Sequence, residues 1–248
     1  MAQAPKVALI TGGGSGIGYA VASMLRSQGW HVSIIDVDKE KGLAAAENIG
    51  AIFYEADVQD YASIRNAFDG TMRSHSRLEF VFANAGITDP RDFYQTQENS
   101  PPPEPSLSLL DINLKGAVMC AYLAQHYFRM TRKNNQLADY DPSLIFTSSI
   151  AGLEVFSPVP LYTAAKHGLV AFSRAIATPF KESDGIRVST ICPGKVLTER
   201  SKSPVSRKIP AQDIVPMEIV CSVVDELLSP NGGFGRCLKV LATGISDV

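Results

Sequence analysis

Short apolar segments alternate with longer amphipathic segments along most of the chain, and this alternation constrains the fold more than any other feature. The apolar runs predict seven strands, at residues 7–10, 32–35, 52–54, 78–82, 144–146, 186–191 and 237–241. The amphipathic segments predict helices at 15–28, 38–48, 60–74, 108–131, 160–180 and 216–228. Strands that are apolar on both faces belong to a parallel sheet covered by helices on each side. We therefore predict an α/β protein with a doubly wound, seven-stranded parallel sheet.

Length and charge narrow the functions that such a fold could serve. The 248 residues are expected to form a single domain spanning 1–248. A formal net charge of -2 provides no basic surface for nucleic acid or for an anionic membrane. No stretch approaches the roughly 20 consecutive apolar residues of a membrane span, and residues 1–6 leave no room for a secretory signal. We expect a cytoplasmic protein with no nucleic-acid or membrane partner.

The cysteines and histidines suggest neither disulfides nor a metal site. The chain has 4 cysteines and 4 histidines, and they form no cluster with metal-ligand spacing. A disulfide framework is unusual in a chain this large and this poor in cysteine. Reduced thiols and the absence of a bound metal are therefore expected.

Two segments interrupt the alternation of strands and helices. Residues 88–106 contain the run Pro101-Pro102-Pro103, which is incompatible with a helix or a central strand. Residues 195–215 are rich in basic residues and serine over their first part, which favours a mobile loop. Each segment is either a solvated connection or a flap over a site at the carboxyl edge of the sheet. For the second segment we favour a substrate loop.

A glycine-rich segment joins the first predicted strand to the first predicted helix. Gly12 allows a sharp turn, Gly16 allows the backbone to approach a pyrophosphate, and Gly18 allows the helix to pack tightly on the sheet. The helix N-terminus then offers N–H groups and a partial positive charge to the phosphates. A plain tight turn is the alternative. The segment predicts a Rossmann-type dinucleotide site whose contact residues are Gly12, Gly14, Ser15, Gly16, Ile17 and Gly18.

The second predicted strand ends at Asp36, which indicates the kind of dinucleotide. A carboxylate at this position can accept hydrogen bonds from both ribose hydroxyls of an adenosine and would repel a 2′-phosphate. Neither Ser15 nor Val37 supplies a cation to offset that repulsion. NAD is therefore favoured over NADP. Asp36 could instead cap the next helix, although Asp38 is the better candidate for that role.

The glycine loop is followed by an ordered set of further motifs. These are Asp57-Val58, Asn84-Ala85-Gly86, Asn113, Ser148-Ser149, Tyr162 with Lys166, and Pro193-Gly194 with Thr198. Taken together, the motifs resemble the short-chain dehydrogenase/reductase family in its single-domain form, over essentially the whole chain. Residues 162–172 and 191–194 are more specifically similar to the NAD-dependent 15-hydroxyprostaglandin dehydrogenase branch.

The resemblance implies that Tyr162 is the general base of an alcohol oxidation, with Lys166 beside it. The two residues are four apart on a predicted helix and so share one face. A phenol with a pKa near 10 is a poor base at neutral pH. A cation about 4 Å away, at an effective dielectric constant of about 20, would lower that pKa by roughly three units. A tyrosine packed on the helix with a solvated lysine is the alternative.

By the same resemblance, Ser149 holds the substrate oxygen and Asn113 anchors a water in a proton relay from Lys166. Ser148 competes with Ser149, and because adjacent strand side chains point to opposite faces, only one of them can face the site. The spacing to Tyr162 favours Ser149. Asn113 could instead be a buried asparagine bonded to backbone at a helix bend.

The resemblance also implies the remaining cofactor contacts. Asp57 and Val58 are expected near the adenine with Val37, and Asn84, Ala85 and Gly86 along the dinucleotide. Tyr162 and Lys166 are expected to touch the nicotinamide side, together with Pro193, Gly194, Val196 and Thr198.

The expected function is hydride transfer between NAD and a secondary alcohol or ketone. Apolar residues after Ser149 (Leu153, Val155, Phe156 and Val159) suggest a lipophilic substrate such as a steroid, prostanoid, terpenoid or polyketide. The same residues could instead simply pack in the core. Two other functions remain open: a ketoreductase or redeployed family member acting on a natural-product intermediate, and a non-catalytic dinucleotide sensor. Relatives pair their long helices, so a homodimer or homotetramer is also expected.

Overall fold

The computed structural model describes residues 4–88, 93–94, 100–101, 103–135, 140–198 and 210–248. Its centre is an eight-stranded sheet in the order β10-β9-β6-β5-β4-β1-β2-β3. The strands are β1 (Val7–Thr11), β2 (His31–Asp36), β3 (Ile52–Glu55), β4 (Phe80–Ala83), β5 (Ser143–Thr147), β6 (Arg187–Pro193), β9 (Cys237–Leu241) and β10 (Gly244–Asp247). Two further short strands, β7 (Lys195–Val196) and β8 (Ile214–Val215), pair with each other in parallel outside this sheet.

Seven of the eight strands run parallel, which confirms the predicted Rossmann-type, doubly wound sheet. The eighth, β10, pairs antiparallel with β9 at the edge and was not predicted. All four of its residues are exposed, so it carries no apolar run that could mark it as a strand. An antiparallel edge strand on an otherwise parallel sheet is common in doubly wound folds.

The helices match the predicted alternation, with one interruption. They are α1 (Gly16–Ser27), α2 (Lys39–Ile49), α3 (Tyr61–His75), α4 (Ser108–Leu110), α5 (Gly116–Asn135), α6 (Pro160–Asp184) and α7 (Met217–Leu228). The single helix predicted over 108–131 is instead α4 and α5 joined by a π-helical turn, Asp111–Lys115. Such turns distort the regular hydrogen-bond ladder and are frequent at functional sites.

Two apolar layers hold the helices against the sheet, one on each face. On one face, Phe68 of α3, Phe128 of α5 and Leu169 of α6 pack in one cluster with strand side chains such as Phe146 of β5. On the other, α1, α2 and α7 pack Val21, Leu25 and their neighbours against the opposite strand faces. Burial on both faces explains why the strand sequences are apolar without alternation.

The strand order reverses at β1, because β2 and β3 extend the sheet to one side of it and β4 lies on the other. In open α/β sheets, the loops at the carboxyl ends of the strands diverge at such a point and leave a crevice for a ligand. The glycine-rich segment after β1 and the Asn84 segment after β4 flank this crevice. The topology therefore brings the predicted motifs to one edge.

The two irregular segments are described only in part. Of residues 88–106, the structure describes residue 88, 93–94, 100–101 and 103–106, and of 195–215 it describes 195–198 and 210–215. Lys195–Val196 and Ile214–Val215 form the pair β7–β8, so the two ends of the second segment meet. The mobile loop predicted between them falls mainly on residues outside the described ones.

Among the described residues, neither a membrane-spanning helix nor a group of metal-ligating side chains is found. No helix among them is both long and apolar enough to cross a membrane. No group of three or more histidine, cysteine, aspartate or glutamate side chains in the described ranges is placed to hold a metal ion.

Candidate active site

The glycine-rich segment forms a bare backbone loop between β1 and α1. Gly12 and Gly16 have φ values of 65° and 57°, in the left-handed region that favours glycine. A Cβ atom on Gly18 would lie 2.2 Å from the carbonyl oxygen of Gly12, so only glycine lets α1 approach the loop this closely. Ser15 is the N-cap of α1, but its side chain makes no capping hydrogen bond. The first turn of α1 therefore presents N–H groups that suit a phosphate.

Asp36 is fixed at the end of β2 by two backbone donors. Its Oδ2 accepts from Gly14 N at 3.0 Å, and its Oδ1 accepts from Asp38 N at 3.1 Å. Asp38 caps α2 by accepting from Lys41 N at 3.1 Å. The capping role thus belongs to Asp38, and the Asp36 carboxylate lies against the glycine loop, where an adenosine ribose would meet it.

A cavity of about 660 Å³ adjoins the loop. It is lined by Gly14, Ser15, Gly16, Tyr19, Lys41, Ala44, Ala45, Asn48, Leu197 and Thr198. Thr198 approaches Gly16 so closely that a Cβ there would lie 3.1 Å from its Cγ2. The segment after β6 and the glycine loop, far apart in sequence, therefore meet as predicted for a shared cofactor site. Tyr19, Lys41 and Asn48 were not predicted, since they carry no motif.

Three polar residues connect the ends of β1, β4 and β5. The hydroxyl of Thr11 accepts from the backbone N–H groups of Asn84 and Ala85, at 3.0 Å each. Asn84 Nδ2 donates to the Thr11 carbonyl at 3.1 Å, and Thr147 Oγ1 donates to Asn84 Oδ1 at 3.0 Å. This network holds the three strand ends in register. Thr147 was not predicted, although its place directly before Ser148-Ser149 is the signal that could have revealed it.

Ser149, Tyr162 and Lys166 converge at the carboxyl end of β5. Ser149 follows β5, and its hydroxyl lies close enough to the Tyr162 hydroxyl to lower the pKa of that phenol, while Tyr162 and Lys166 lie one turn apart on α6. Lys166 Nζ lies 5.6 Å from the centroid of the Tyr162 ring. The same Nζ donates to the Thr147 carbonyl at 2.8 Å. The hydroxyl, phenol and amine are thus assembled as the motif spacing predicts.

Ser148 points away from this cluster. Its hydroxyl donates to the Lys166 carbonyl at 3.0 Å, and its side chain is buried. Ser149 Oγ, in contrast, accepts from Ala151 N at 3.2 Å and reaches Tyr162. Between the two serines, only Ser149 contacts the phenol.

Burial sets the protonation of both ionisable groups. It lowers the pKa of Lys166 to about 8, because the buried ammonium loses its hydration. Burial also raises the pKa of the Tyr162 phenol above its ordinary value, and the Ser149 hydrogen bond offsets this rise only in part. The expected lowering of the phenol pKa is therefore wrong for the protein without dinucleotide. The reason is that Lys166 bonds the Thr147 carbonyl instead of the phenol oxygen.

Asn113 lies in the π-helical turn and is buried. Its Oδ1 accepts from Ile87 N at 2.7 Å, and its Nδ2 donates to the Ile87 carbonyl at 2.8 Å. A Cβ on Gly86 would lie 3.1 Å from Asn113 Oδ1 and 3.5 Å from Lys166 Nζ. The side chain therefore bonds backbone, as in the structural alternative, while still lying beside the catalytic lysine.

The other predicted cofactor residues differ in burial and in their local contacts. Asp57 accepts from Gln59 N at 2.9 Å, Val58 is buried against Gly116, and Val37 is exposed. Pro193 ends β6, and Val196 is buried where β7 pairs with β8. Gly194 donates to the Val240 carbonyl at 2.8 Å, which fixes the turn after β6.

A pair of thiols lies beside the cluster and was not predicted. Cys192 and Cys237 are free and buried, with their Sγ atoms 3.6 Å apart. The hydrogen bond from Cys237, together with burial, raises the pKa of the Cys192 thiol. The two thiols pack with Val170 and Leu153.

Comparison with known proteins identifies the family. Residues 6–208 match the short chain dehydrogenase family model. The chain is 39% identical over 230 residues to the short-chain dehydrogenase/reductase prx7 of Penicillium rubens, covering 90% of this chain and 80% of that protein. It is 31% identical over 201 residues to human 15-hydroxyprostaglandin dehydrogenase [NAD(+)], covering 78% of this chain and 69% of that enzyme. The chain belongs to the short-chain dehydrogenase/reductase family, whose members are oxidoreductases that bind a nicotinamide dinucleotide.

Solved structures share the fold. A 3-ketoacyl-(acyl-carrier-protein) reductase from Brucella melitensis, complexed with NADH, aligns with a TM-score of 0.82 at 23% identity. The alignment covers 96% of this chain and 97% of that one. Levodione reductase aligns with a TM-score of 0.80 at 24% identity, covering 96% of each chain. These likenesses support the Rossmann-type architecture.

Proposed function

We propose that the protein is an NAD-dependent dehydrogenase of lipophilic secondary alcohols, or of the corresponding ketones in the reverse direction. The observation that carries this proposal is the cluster of Ser149, Tyr162 and Lys166 at the carboxyl end of β5. A phenol, a hydroxyl and a buried amine grouped at one strand end are suited to moving one proton on and off an alcohol oxygen. A dinucleotide sensor has no need of such a cluster.

The residues divide the oxidation of an alcohol between them. Bound NAD supplies the acceptor for the hydride that leaves the carbinol carbon. Ser149 Oγ would donate a hydrogen bond to the substrate oxygen. Tyr162 would first release its own phenol proton to solvent through the relay beside Lys166, and the resulting phenolate would take the alcohol proton as the carbonyl forms. Lys166 supplies the positive charge that stabilises the phenolate, and Asn113 adjoins it as the outer member of a proton relay.

The dinucleotide fits the residues that are present. The uncapped N–H groups of α1 accommodate a pyrophosphate, and Gly12, Gly16 and Gly18 leave no side chain in its way. The Asp36 carboxylate accepts ribose hydroxyls and repels a 2′-phosphate, which favours NAD. We assign the remaining predicted contacts to the adenine and nicotinamide ends as the resemblance implies.

The lipophilic substrate class rests on the residues next to Ser149 and Tyr162. Val155 is exposed and Leu153 is only partly buried, so apolar surface borders the catalytic groups. The Penicillium and prostaglandin relatives support an alcohol or ketone of this kind. A reductive role on a natural-product intermediate would use the same site in the opposite direction.

The test is the ultraviolet absorbance of reduced nicotinamide during incubation with NAD and a panel of secondary alcohols, and its decrease with NADH and ketones. Activity with lipophilic alcohols and NAD supports the proposal. Activity confined to ketones with the reduced cofactor favours the ketoreductase. Dinucleotide binding by calorimetry without turnover on any member of the panel favours the sensor.

A further inference from the structure

We propose that Phe93 and Tyr94 form the outer wall of the substrate site and bind the apolar tail of an elongated secondary alcohol or ketone. The inference rests on the proposed function and adds to it the part of the molecule that selects long substrates. Both residues come from the proline-rich segment after β4, which the sequence left open between a solvated connection and a flap. They are the described part of that segment that carries large apolar side chains.

A hydrogen bond connects this aromatic pair to the catalytic region. Tyr94 OH donates to the Ser157 carbonyl at 2.9 Å. Ser157 lies in the segment 153–159, which joins the turn after Ser149 to the start of α6. The aromatic pair is therefore attached midway along the stretch of chain whose two ends carry the catalytic serine and tyrosine.

That stretch is itself held against α6. Thr163 Oγ1 donates to the Phe156 carbonyl at 3.1 Å, and Thr163 N donates to the Val159 carbonyl at 2.9 Å. Thr163 directly follows Tyr162 in the sequence. The position of Tyr94 is thus related to that of the catalytic phenol through a short series of fixed contacts, and not through a long connection.

The surface formed there is apolar and exposed. Phe93 and Tyr94 are 53% and 58% exposed, and Val155 on the same stretch as Ser157 is 82% exposed. The two rings meet edge to face, with centroids 5.7 Å apart. Because the tyrosine hydroxyl is already bonded to backbone, the ring is held in place with its apolar surface available. Large apolar groups held in the open beside a catalytic centre favour an apolar ligand.

The occupant follows from the order of residues along the chain, because Ser157, which Tyr94 contacts, lies between Ser149 and Tyr162. The carbinol carbon must lie at Ser149 and Tyr162, so a short alcohol would occupy only the inner site. A substrate whose chain continues outward would cover Val155 and the two rings. Holding the rings in advance reduces the ordering that binding would otherwise require.

The experiment compares isopropanol with decan-2-ol in the full-length protein, using wild type, Tyr94→Phe and the double variant Phe93→Ser with Tyr94→Ser. The double variant is expected to raise KM for decan-2-ol about tenfold. KM for NAD and turnover of isopropanol should not change. Tyr94→Phe keeps the ring and loses only the Ser157 bond, so its effect should be smaller.

Phe234→Ser is the matched control, since Phe234 is also an exposed aromatic residue but precedes β9 at the opposite, amino edge of the sheet. An equal rise in KM for both alcohols, or the same selective rise in Phe234→Ser, would overturn the inference. A wild type that does not prefer decan-2-ol to isopropanol would overturn it too.

A binding measurement separates this inference from the proposed function. Decan-2-one is titrated calorimetrically into protein saturated with NAD, because the ketone and the oxidised cofactor cannot exchange a hydride and no turnover occurs. A tenfold loss of ketone affinity in the double variant supports the wall even if the oxidation assay fails. Unchanged affinity in an enzyme that oxidises alcohols would instead refute the wall and leave the proposed function intact.

Discussion

The two sides of the crevice are built differently. The dinucleotide side is made of backbone and buried polar groups: Gly12 and Gly18 in the loop, Asp36 bonded to two N–H groups, and Asn84 bonded to Thr11. The substrate side presents exposed apolar side chains, such as Tyr94 and Val155. The first side has its shape fixed by sterics and hydrogen bonds, whereas the second gains its apolar contacts only when a ligand covers it.

This difference indicates which side of the crevice can accept substitutions. Residues whose positions depend on backbone geometry tolerate few substitutions, because each substitution would disturb the sheet as well as the ligand site. Exposed side chains can change with little effect on the core. The catalytic cluster lies where the two sides meet, on β5 and α6, and the largest expected effects fall there.

Tyr162→Phe removes the proton acceptor and leaves the ring. We expect kcat to fall by about a thousandfold or more, since general acid–base catalysis contributes on this order. The affinity for NAD should stay within a few fold, because the dinucleotide side is untouched. Steady-state kinetics measures the fall in kcat, and calorimetric titration measures the affinity for NAD. A near-normal rate in this variant would exclude Tyr162 as the base.

Gly18→Ala tests the dinucleotide side by sterics alone. The added Cβ would lie 2.2 Å from the Gly12 carbonyl oxygen and 2.7 Å from the Asn84 amide nitrogen, and the Gly12 backbone cannot move aside without distorting the loop. We expect the free energy of unfolding to fall by about 3 kcal/mol and NAD binding to weaken with it. Chemical denaturation and NAD titration measure the two effects.

Gly168→Ala is the control for that substitution. Its Cβ would meet the end of the Leu114 side chain at 3.1 Å, which can shift. This variant should lose much less stability. Equal losses in both would show that the close approach of α1 to the loop is not what requires glycine.

The buried lysine makes stability depend on pH. The pKa of Lys166 is lowered to about 8 in the folded protein. Above that pH the folded protein has lost the Lys166 proton, whereas the unfolded chain still carries it. The free energy of unfolding should therefore rise by about 2 kcal/mol as pH increases from roughly 8 to 10, relative to Lys166→Met. Denaturation of both proteins at several pH values gives the difference. Parallel curves would contradict the lowered pKa.

The sequence located the glycine loop and Asp36 at the ends of the first two strands, where the structure also places them, but it missed Tyr19, Lys41 and Asn48 in the adjoining cavity. Each strand–turn–helix junction carries a glycine or a short polar side chain that local sterics demand, so Gly12, Gly18 and Asp36 could be located without coordinates. The seven parallel strands followed from their continuous apolar character. The protonation chemistry was harder to infer. Burial raises the pKa of Tyr162 where the neighbouring Lys166 was expected to lower it, and Lys166 bonds the Thr147 carbonyl.

The substrate side could be predicted much less. No rule of periodicity connects Tyr94 to Ser157, because the contact joins two irregular segments 63 residues apart. The strand β10 was missed for a related reason, since its exposed residues carry no burial pattern. Sequence reasoning succeeds where burial and backbone geometry restrict the residue type. It fails to predict contacts between exposed, irregular segments, where neither burial nor backbone geometry restricts the residue type.

Cofactor preference is the smallest expected effect and the sharpest test of the dinucleotide side. Asp36→Asn keeps the size of the side chain and one oxygen acceptor for Gly14 N or Asp38 N, while it removes the charge that repels a 2′-phosphate. The ratio of kcat/KM for NAD to that for NADP should narrow by about tenfold, corresponding to roughly 1.4 kcal/mol. Asp38→Asn is the matched control, because that side chain caps α2 and asparagine caps a helix equally well. Its ratio should remain that of the wild type. If both variants narrow the ratio alike, the general loss of negative charge near the crevice sets the preference, and the specific placement of Asp36 against the glycine loop does not.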